Sequence, residues 1–554
     1  MDNKHITQPE TIGATGPLVQ QVAHDRPNTV EAAPTGEAPQ VGGLTAWSRN
    51  QLRSLDLGNP RRHDRFCTLL TQMASNPQGS LPAQCGSGTK IKAAYRALSY
   101  PKVKASDLMA SHAAATLAHL DAQPPGDGVI LNVQDTTTLN FTTHLALPGQ
   151  GSIGKNSKSG VTGFHAHGTL LLGANGYVYG MLDSELYARD DAAMEARRQA
   201  GAGKRNREKA EDKESGRWLR SLRRSAELAA TRAPDTLTIN VADGEADMYE
   251  LWLLADELRA TTPQLHLLVR SQHNRKLHDE DGWLHETLAS LPAQAAWEIE
   301  LPAAKGLGSQ IRKVECVWRP VTLEVPAHQR KYQGHTQCQK LWAIEVREPN
   351  PPEGAEALHW IILSTWPITD EKSAREALGW YVQRWQIEVL HRTWKTGCKV
   401  EDRRVQEPQT MLRLMMLDLM VAVQLLSLVK AARLTPEAPA CTLLSAAQNE
   451  CLAAIVASSA PAQKPLRASQ GKTAQATESP ETVSLSLDQA RQQSPGGEAL
   501  FMSIGEAVEN IARLGGYRGN MQKRPPGAEL LWRGIQRLND LTTGWLLAKA
   551  QKSG

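Results

Sequence analysis

The chain has 554 residues and a formal net charge of +4, from 62 Lys and Arg residues against 58 Asp and Glu residues. That length allows three or four domains with ample hydrophobic core, and so small a net charge does not by itself indicate a nucleic-acid-binding protein. The seven cysteines include no Cys-x-x-Cys pair, which argues against a disulfide scaffold or a zinc site and favours reduced thiols in the cytoplasm. Because the first residues lack the apolar core of a signal peptide, export is not expected.

The N-terminal part of the chain changes character at about residue 45. Residues 1–44 are rich in Pro, Gly, Thr and Ala, a composition typical of a disordered extension. Residues 45–122 show a helical and basic pattern, which predicts a helical domain whose cations neutralise phosphates. The alternative is a solvated charged surface. The basic residues that cluster there are Arg61, Arg62, Arg65, Lys90, Lys92, Arg96, Lys102 and Lys104.

An α/β pattern begins at about residue 127. The apolar run from Val129 to Val133 predicts a buried strand from which the carboxylate of Asp135 projects. Two further strands follow and are joined near Asn175-Gly176, a strong hairpin signal.

A second acid follows a second buried strand. A helix is predicted from about Ser215 to Ala230, and the strand after it ends at Asp243. An aspartate at a strand end is commonly a helix cap, and that alternative applies to Asp243. Carboxylates from separate elements can also converge into an oxygen-rich site for one or two Mg²⁺ ions, which would activate a water or a 3′ hydroxyl. Another strand is predicted at Leu265 to Arg270.

Between about residues 272 and 366 the helical pattern gives way to strands, among them those beginning at Trp297, Val321 and Leu341. This region is predicted to be rich in β-strands. It also contains Trp360, for which packing in the core is the plain interpretation, because most of the 14 tryptophans must be buried.

Four residues of complementary chemistry recur at helical spacing in the segment that starts at Tyr381. At about 100° per residue, Tyr381, Arg384, Glu388 and Lys395 fall within a sector of about 60° on one helix face. Such a face suits a carboxylate that holds a metal ion beside cations that bind phosphate oxygens. The alternative is an amphipathic helix with a surface ion pair between Arg384 and Glu388.

The remaining chain is predicted to be helical scaffold and linker. The apolar run from Met411 to Leu434 contains Arg413 and Asp418 and is therefore interpreted as a buried helix rather than a membrane span. Residues 435–499 are predicted to be a variable linker region, with a Ser-, Ala- and Gln-rich stretch at 458–498. Residues 500–554 carry apolar helical stripes, which fit either packing within the chain or dimerisation. The stripe residues are Ile504, Val508, Ile511, Leu530, Leu531, Ile535, Leu538, Leu541, Trp545 and Leu546.

Taken together, these motifs resemble the bacterial insertion-sequence DDE transposases, close to the Tn-five-like branch with its Tyr-Arg-Glu-Lys signature. The Tyr-x2-Arg-x3-Glu-x6-Lys spacing is matched without a gap, and the segments that begin at Asp135 and Asp243 resemble the two aspartate motifs of the family. The resemblance covers nearly everything after about residue 45. Further similar segments are Lys213–Trp218, Val269–Ser271, Trp394–Gly397 and Ile511–Gly516.

This resemblance implies a fold and a set of site residues. The fold would be a ribonuclease H-like catalytic core (123–434) with a β-rich insertion, a helical N-terminal DNA-binding domain and a helical C-terminal dimerisation region. Asp135, Asp243 and Glu388 would be the catalytic residues and would hold two Mg²⁺ ions, with Mn²⁺ able to substitute. The implied DNA contacts are Tyr381, Arg384, Lys395, Trp360, Arg270 and Arg392.

Individual roles also follow from the resemblance. Trp360 would occupy the stack vacated by a flipped base, as an indole can do physically. Gln272 and Asn274 differ from the Lys and Pro expected in the family, so the contacts of that loop should differ too.

The implied reaction is cut-and-paste transposition in the bacterial cytoplasm, at the nucleoid. A dimer would bind the terminal inverted repeats of its element in double-stranded DNA, cleave both strands through a hairpin, and join the 3′ ends to target DNA. Only phosphodiester exchange is involved, so neither a nucleotide cofactor nor a membrane is expected. Two alternatives remain open: a ribonuclease H-like nuclease without strand transfer, and an inactive DNA-binding copy.

Overall fold

The computed structural model describes residues 43–154, 160–301, 310–353, 355–440, 444–459, 502–519 and 526–552. Within these residues the chain is mixed α/β, with a helical N-terminal region and one large mixed sheet, which confirms the predicted class at that level. The predicted extension 1–44 and the Ser-rich stretch 458–498 lie almost wholly outside the described residues.

The N-terminal region is helical, as predicted. Its second helix buries one apolar face, on which Phe66, Leu70 and Met73 recur at helical spacing. The helices before the sheet are α1 (Gly43–Gln51), α2 (Pro60–Ser75), α3 (Leu81–Cys85), α4 (Gly88–Leu98) and α5 (Ala105–Ala122).

Ten strands among the described residues form one sheet. They are β1 (Val129–Asn140), β2 (Gly151–Ser152), β3 (Thr162–Gly173), β4 (Val178–Tyr187), β5 (Leu237–Ala242), β6 (Leu265–Arg270), β7 (Ala295–Leu301), β8 (Gln310–Leu323), β9 (Gln339–Arg347) and β10 (His359–Ser364). The order is β2-β3-β1-β5-β6-β10-β9-β8-β7, and β4 pairs with the other edge of β3. The β-rich region is therefore continuous with the central sheet, because β10 pairs with β6.

The strands around the predicted acids form an antiparallel part and a parallel part of the sheet. β1 pairs antiparallel with β3, which forms the predicted hairpin with β4, whereas β1, β5 and β6 run parallel to one another. Parallel neighbours need a crossover, and α8 (Gly216–Ala230) and α9 (Tyr249–Arg259) provide it. These helices cover the sheet with Trp218 and Trp252, which pack in one hydrophobic cluster with Leu267. Between the hairpin and α8 lie α6 (Asp191–Gln199) and α7 (Gly201–Arg207), and the β-rich part contains α10 (Leu284–Ala289) and α11 (Ala327–Gln333).

The prediction of one uninterrupted helix from Tyr381 to Lys395 is wrong. The segment forms α12 (Glu371–Val382), α13 (Trp385–Arg392) and a π-helical turn (Thr393–Gly397). At the junction of α12 and α13 the amides of Gln383 and Arg384 donate to carbonyls three residues earlier, which winds the chain more tightly than an α-helix. The π turn winds it less tightly, so the uniform rotation of 100° per residue does not hold at either end.

The apolar run is a core helix, α14 (Pro408–Leu434), as predicted. It is long and apolar enough to cross a membrane, but 89% of its most apolar stretch is buried inside the protein. Asp418 on this helix forms a buried ion pair of 2.6 Å with Arg403. The burial of this helix and its buried ion pair support the interpretation as a core helix.

The described residues divide into two compact units. One comprises residues 51–59 and 96–423, and the other comprises 43–50, 60–95 and 424–552. The second unit contains the C-terminal helices α15 (Ala446–Ser459), α16 (Ile504–Leu514) and α17 (Ala528–Lys552) together with α2. The region predicted as one domain, 45–122, is thus shared between the units, because α5 packs on β4 in the first. Helix α15 lies inside the segment predicted as a variable linker.

Candidate active site

Asp135 and Asp243 lie side by side where the parallel pairing of β1 and β5 ends. β1 and β5 pair with Gln134 opposite Ala242, and each aspartate is the next residue of its segment. Since adjacent strands are about 4.8 Å apart, this register brings the two carboxylates together. Each uses one oxygen locally: Asp135 accepts from the Thr136 amide at 2.8 Å, and Asp243 from the Glu245 amide at 2.9 Å. The helix-cap role foreseen for Asp243 therefore exists, and it occupies only one of its oxygens.

The third predicted acid, Glu388, comes from α13. It accepts a hydrogen bond from Arg384, so these two residues form the i,i+4 ion pair expected from the sequence. Arg384 is largely buried, with 17% of its side chain exposed, and Glu388 is half-buried with 32% exposed. Burial opposes the charge of Arg384, but Tyr381 and Glu388 more than compensate and raise its pKa. Because Arg384 is largely buried, its bond to Glu388 is more than a loose surface contact.

Electrostatics show that the three acids share one environment. Burial, followed by the nearby Asp243 carboxylate, raises the pKa of Asp135 from 3.8 to about 7, and the Glu388 carboxylate acts in the same direction. Arg384 opposes this shift. A raised pKa of this size shows that the negative charge at Asp135 is incompletely compensated by the protein itself.

His391 and Lys395 approach the same carboxylate from α13 and the π turn. The Nδ1 atom of His391 is 3.6 Å from Oδ2 of Asp135. Burial, reinforced by the Lys395 and Arg384 charges, lowers the pKa of His391 to about 3, so its imidazole is neutral at physiological pH. Burial also lowers the pKa of Lys395, while Glu401 and Asp135 favour its charged form. Neither residue forms a salt bridge that would fix the charge of Asp135.

An open cleft of about 320 Å³ runs beside these groups. Its walls combine acids, cations and hydroxyls, which are the groups that bind a phosphodiester and a hard cation. The lining residues are Asp135, Thr136, Thr137, Glu388, His391, Arg392, Lys395 and Thr396.

The remaining predicted contacts gather around Tyr381, which is buried. Its ring lies 5.6 Å from the ring of Trp360 in an edge-to-face arrangement. Burial raises the pKa of Tyr381, and Arg384, Arg270 and Asp243 all interact with it electrostatically. Arg270 is exposed at the end of β6, and Trp360 is half-buried on β10. Arg392 is also a predicted DNA contact, but it lies outside this group. It is exposed and lines the cleft.

Arg217 connects the two aspartate segments and was not predicted as a site residue. Its Nε donates to the Thr136 hydroxyl at 3.0 Å, and its Nη2 contacts Glu245 at 3.1 Å. The Thr136 hydroxyl also contacts Nδ1 of the buried His167 at 2.9 Å. Arg217 lies in the segment Lys213–Trp218 already noted for its resemblance, so the signal was present, but spacing alone gave it no role.

The loop after β6 is fixed by a second unpredicted residue, Asp247. Its buried carboxylate accepts from the backbone amides of Gln272 and His273 at 2.9 and 3.0 Å and forms a 2.6 Å ion pair with Arg275. The sequence could have indicated this acid, because it closes the Asp243-Gly-Glu-Ala-Asp motif. Asn274, which departs from the family pattern, donates to the exposed carboxylate of Glu286.

The donor set fits a divalent cation in chemistry but is not preassembled. Three carboxylates with free oxygens, one of them with a raised pKa, match the oxygen ligands that Mg²⁺ prefers. Among the described residues, however, no three acidic, His or Cys side chains already stand together as a metal-ligand group. The Glu388 carboxylate is paired with the Arg384 guanidinium.

The N-terminal region supplies the comparison with known proteins. Residues 44–103 match the family model described as transposase DNA-binding. Of the eight predicted basic residues, all but Lys104 lie within this match, and all but the half-buried Arg62 are exposed. The match supports a transposase and supports DNA as the partner of this region.

Proposed function

We propose that the protein is a cut-and-paste transposase of the Tn-five-like DDE type. The observation that carries this proposal is the convergence of Asp135, Asp243 and Glu388 in a chain with a transposase DNA-binding domain. Under this proposal the chain binds the terminal inverted repeats of its element, cleaves both strands through a hairpin, and joins the 3′ ends to target DNA.

The sheet supports a ribonuclease H-like core. Three antiparallel strands, β4, β3 and β1, are followed in the sheet by β5 and β6, which run parallel to β1 with α8 leading into β5. This is the strand, hairpin, helix and strand order on which the resemblance rests. In such a core the two aspartates emerge at one end of the central strands and the glutamate comes from a helix against them.

The three acids would hold two Mg²⁺ ions, for which Mn²⁺ would substitute. When bound, these ions supply the Lewis acidity that activates a water or a 3′ hydroxyl and stabilises the leaving oxygen. Asp135 must give up its proton for this role, which its pKa of about 7 allows at physiological pH.

Arg384 links DNA binding to completion of the acid site. In the protein alone it holds Glu388 in an ion pair. A phosphate competes for the same guanidinium, since arginine forms bidentate, charge-assisted bonds with phosphate oxygens. Once Arg384 turns to the DNA backbone, Glu388 becomes available as a ligand. The acid site is thus expected to assemble on bound DNA.

The other contacts have complementary tasks. Lys395 and Arg392 line the cleft and would bind phosphates beside the scissile bond. Trp360, with Tyr381 against its edge, would fill the stack left by a flipped base and offset the cost of unstacking it. A plain nuclease has no use for this aromatic pair, which is why strand transfer through a hairpin is favoured.

Dimerisation would use the end of α17. Most of the predicted C-terminal stripe packs within the chain, because Ile511, Leu531 and Leu538 are buried. Leu541, Leu546 and Leu547 at the end of the helix are instead 41%, 50% and 64% exposed. Leu541 and Leu546 belong to the predicted stripe, and with the neighbouring Leu547 they are left for a second protomer. Light scattering of the complex with repeat DNA should give two chains per two duplexes.

The proposal is tested with a labelled duplex that spans an inverted repeat flanking the gene. Purified protein and Mg²⁺ are incubated with it, and products are separated on a denaturing gel. A nick followed by a hairpin is expected, and Glu388→Gln should bind the duplex but yield neither product. The matched control is Glu371→Gln, which removes an exposed carboxylate from α12.

Each other outcome selects an alternative. Cleavage of any duplex without a hairpin would indicate a plain nuclease. Binding without cleavage by the unaltered protein would indicate an inactive copy, and full cleavage by Glu388→Gln would refute the assignment of the acids.

A further inference from the structure

A second cleft lies among the C-terminal helices, outside the acid site. Its volume is about 660 Å³, and it is open to solvent. Four arginines and a single aspartate line it, which makes it strongly basic. The lining residues are Gln78, Arg513, Leu514, Gly515, Gly516, Tyr517, Arg518, Arg533, Gln536, Arg537 and Asp540.

Close packing of α16 against α17 builds this cleft. A Cβ on Gly515 would lie 1.9 Å from the Leu530 carbonyl oxygen, and one on Gly534 would lie 1.8 Å from the Ile511 carbonyl oxygen. Only glycine at both positions lets the two backbones approach so closely. The approach places Arg513 of α16 and Arg518 after it in the same cleft as Arg533 and Arg537 of α17.

The arginines are available to a ligand. Arg513 and Arg533 pair with Glu509 and Glu529 on their own helices, and these i,i+4 pairs are exposed and therefore weak. Arg518 and Arg537 are exposed, and neither has an ion pair with any residue in the described part of the chain. The four arginines thus leave the cleft with an excess of positive charge, which a bound anion would offset.

The cleft belongs to the same unit as α2. Gln78, which lines the cleft, follows α2 within the matched region 44–103. The side chain of Asn539 on α17 donates to the Ser75 carbonyl at the end of α2. The C-terminal arginines therefore lie near the C-terminal end of α2, a helix of the matched DNA-binding region.

We propose that this arginine cleft binds backbone phosphates of the DNA duplex that the N-terminal helices hold. The planar guanidinium groups match phosphate oxygens in pairs, and the contact carries no sequence information. The inference rests on the proposed DNA-binding function and extends it, because the C-terminal helices then contribute to binding each end as well as to pairing.

The test compares Arg518→Gln/Arg537→Gln with the unaltered protein by fluorescence anisotropy, using a repeat duplex and an unrelated duplex of equal length. Each phosphate contact contributes about 0.9 to the slope of log K against log salt, so the double variant should lose about 1.8. At 0.15 M salt, a slope lower by about 1.8 corresponds to a binding constant that is roughly 30-fold lower for the double variant than for the unaltered protein, equally for both duplexes. Arg518→Lys/Arg537→Lys should keep most of the slope, and thermal melting checks that each variant is folded.

Lys549→Gln is the control for unspecific loss of charge, because Lys549 is an exposed cation farther along α17. The inference is overturned if the double glutamine variant keeps its affinity and slope, or loses no more than this control. Such a result leaves the proposed function intact and points to an acidic protein segment as the occupant. If the unaltered protein binds neither duplex, both proposals fail.

Discussion

Asp135 is predicted to destabilise the protein in the absence of metal. Its carboxyl is 14% exposed, and burial beside the Asp243 carboxylate raises its pKa from 3.8 to about 7. The native state keeps a proton on Asp135 that the unfolded state releases near pH 4. The contribution of Asp135 to the free energy of unfolding is therefore largest below that pH and falls as the pH rises toward 7. Removing the charge with Asp135→Asn should therefore stabilise the metal-free protein at neutral pH.

The size of the effect follows from the shift. A difference of about three pKa units corresponds to roughly 4 kcal/mol above pH 7, at 1.36 kcal/mol per unit. Relaxation around the buried charge reduces this figure, so we expect about 2 to 4 kcal/mol. Between pH 5 and pH 7 alone, the difference between Asp135→Asn and the unaltered protein should grow by up to about 2.7 kcal/mol.

Urea unfolding in EDTA at pH 5, 6, 7 and 8 measures this difference. The control is Asp127→Asn at the exposed start of β1, where the side-chain oxygen accepts from the Val129 amide at 3.1 Å and an asparagine can keep that bond. A stability difference that does not change with pH, or a less stable Asp135→Asn at pH 8, would refute the reasoning. Added Mg²⁺ should then stabilise the unaltered protein more than the variant.

Three further predictions concern packing and stacking. Trp360→Ala should slow hairpin formation about 5- to 150-fold while sparing the first nick, as loss of 1 to 3 kcal/mol of base stacking implies, with Trp360→Phe intermediate on the same gel. Arg403→Met should cost about 3 to 5 kcal/mol by leaving the buried Asp418 carboxylate unpaired, and Arg403→Met/Asp418→Leu should recover most of it in urea unfolding. Gly534→Ala should lower the melting temperature, because its Cβ would collide with a carbonyl. Gly544→Ala on the same helix meets no atom within 4 Å and should raise the melting temperature slightly. Equal effects of the two variants would contradict the close approach of the helices.

Much of the acid site could be predicted because its signals are local. Asp135 and Asp243 follow segments whose patterns predict buried strands, and parallel pairing of those strands makes them neighbours. The Tyr381 segment shows where such reasoning stops. Its spacing indicated one regular helix, but the backbone hydrogen bond of Gln383 and the π turn that begins at Thr393 change the winding. No residue type in the segment indicates either change.

Long-range partners were beyond the sequence for a different reason. Arg217 gains its role only because α8 brings it to Thr136, 81 residues earlier in the chain. The apolar stripe of α17 likewise has no period that separates packing within the chain from packing on a partner, and only burial distinguishes Leu538 from Leu546.

The central claim is that the three acids act as one catalytic unit. It is tested most directly by single-turnover cleavage of the repeat duplex in Mg²⁺ with Asp135→Asn, Asp243→Asn, Glu388→Gln and the three double variants. Residues that act together are strongly non-additive, so we expect each single variant to lose about 10³-fold or more and the double variants to lose little beyond that. One single variant with nearly full activity, or losses that multiply in the double variants, would contradict the account.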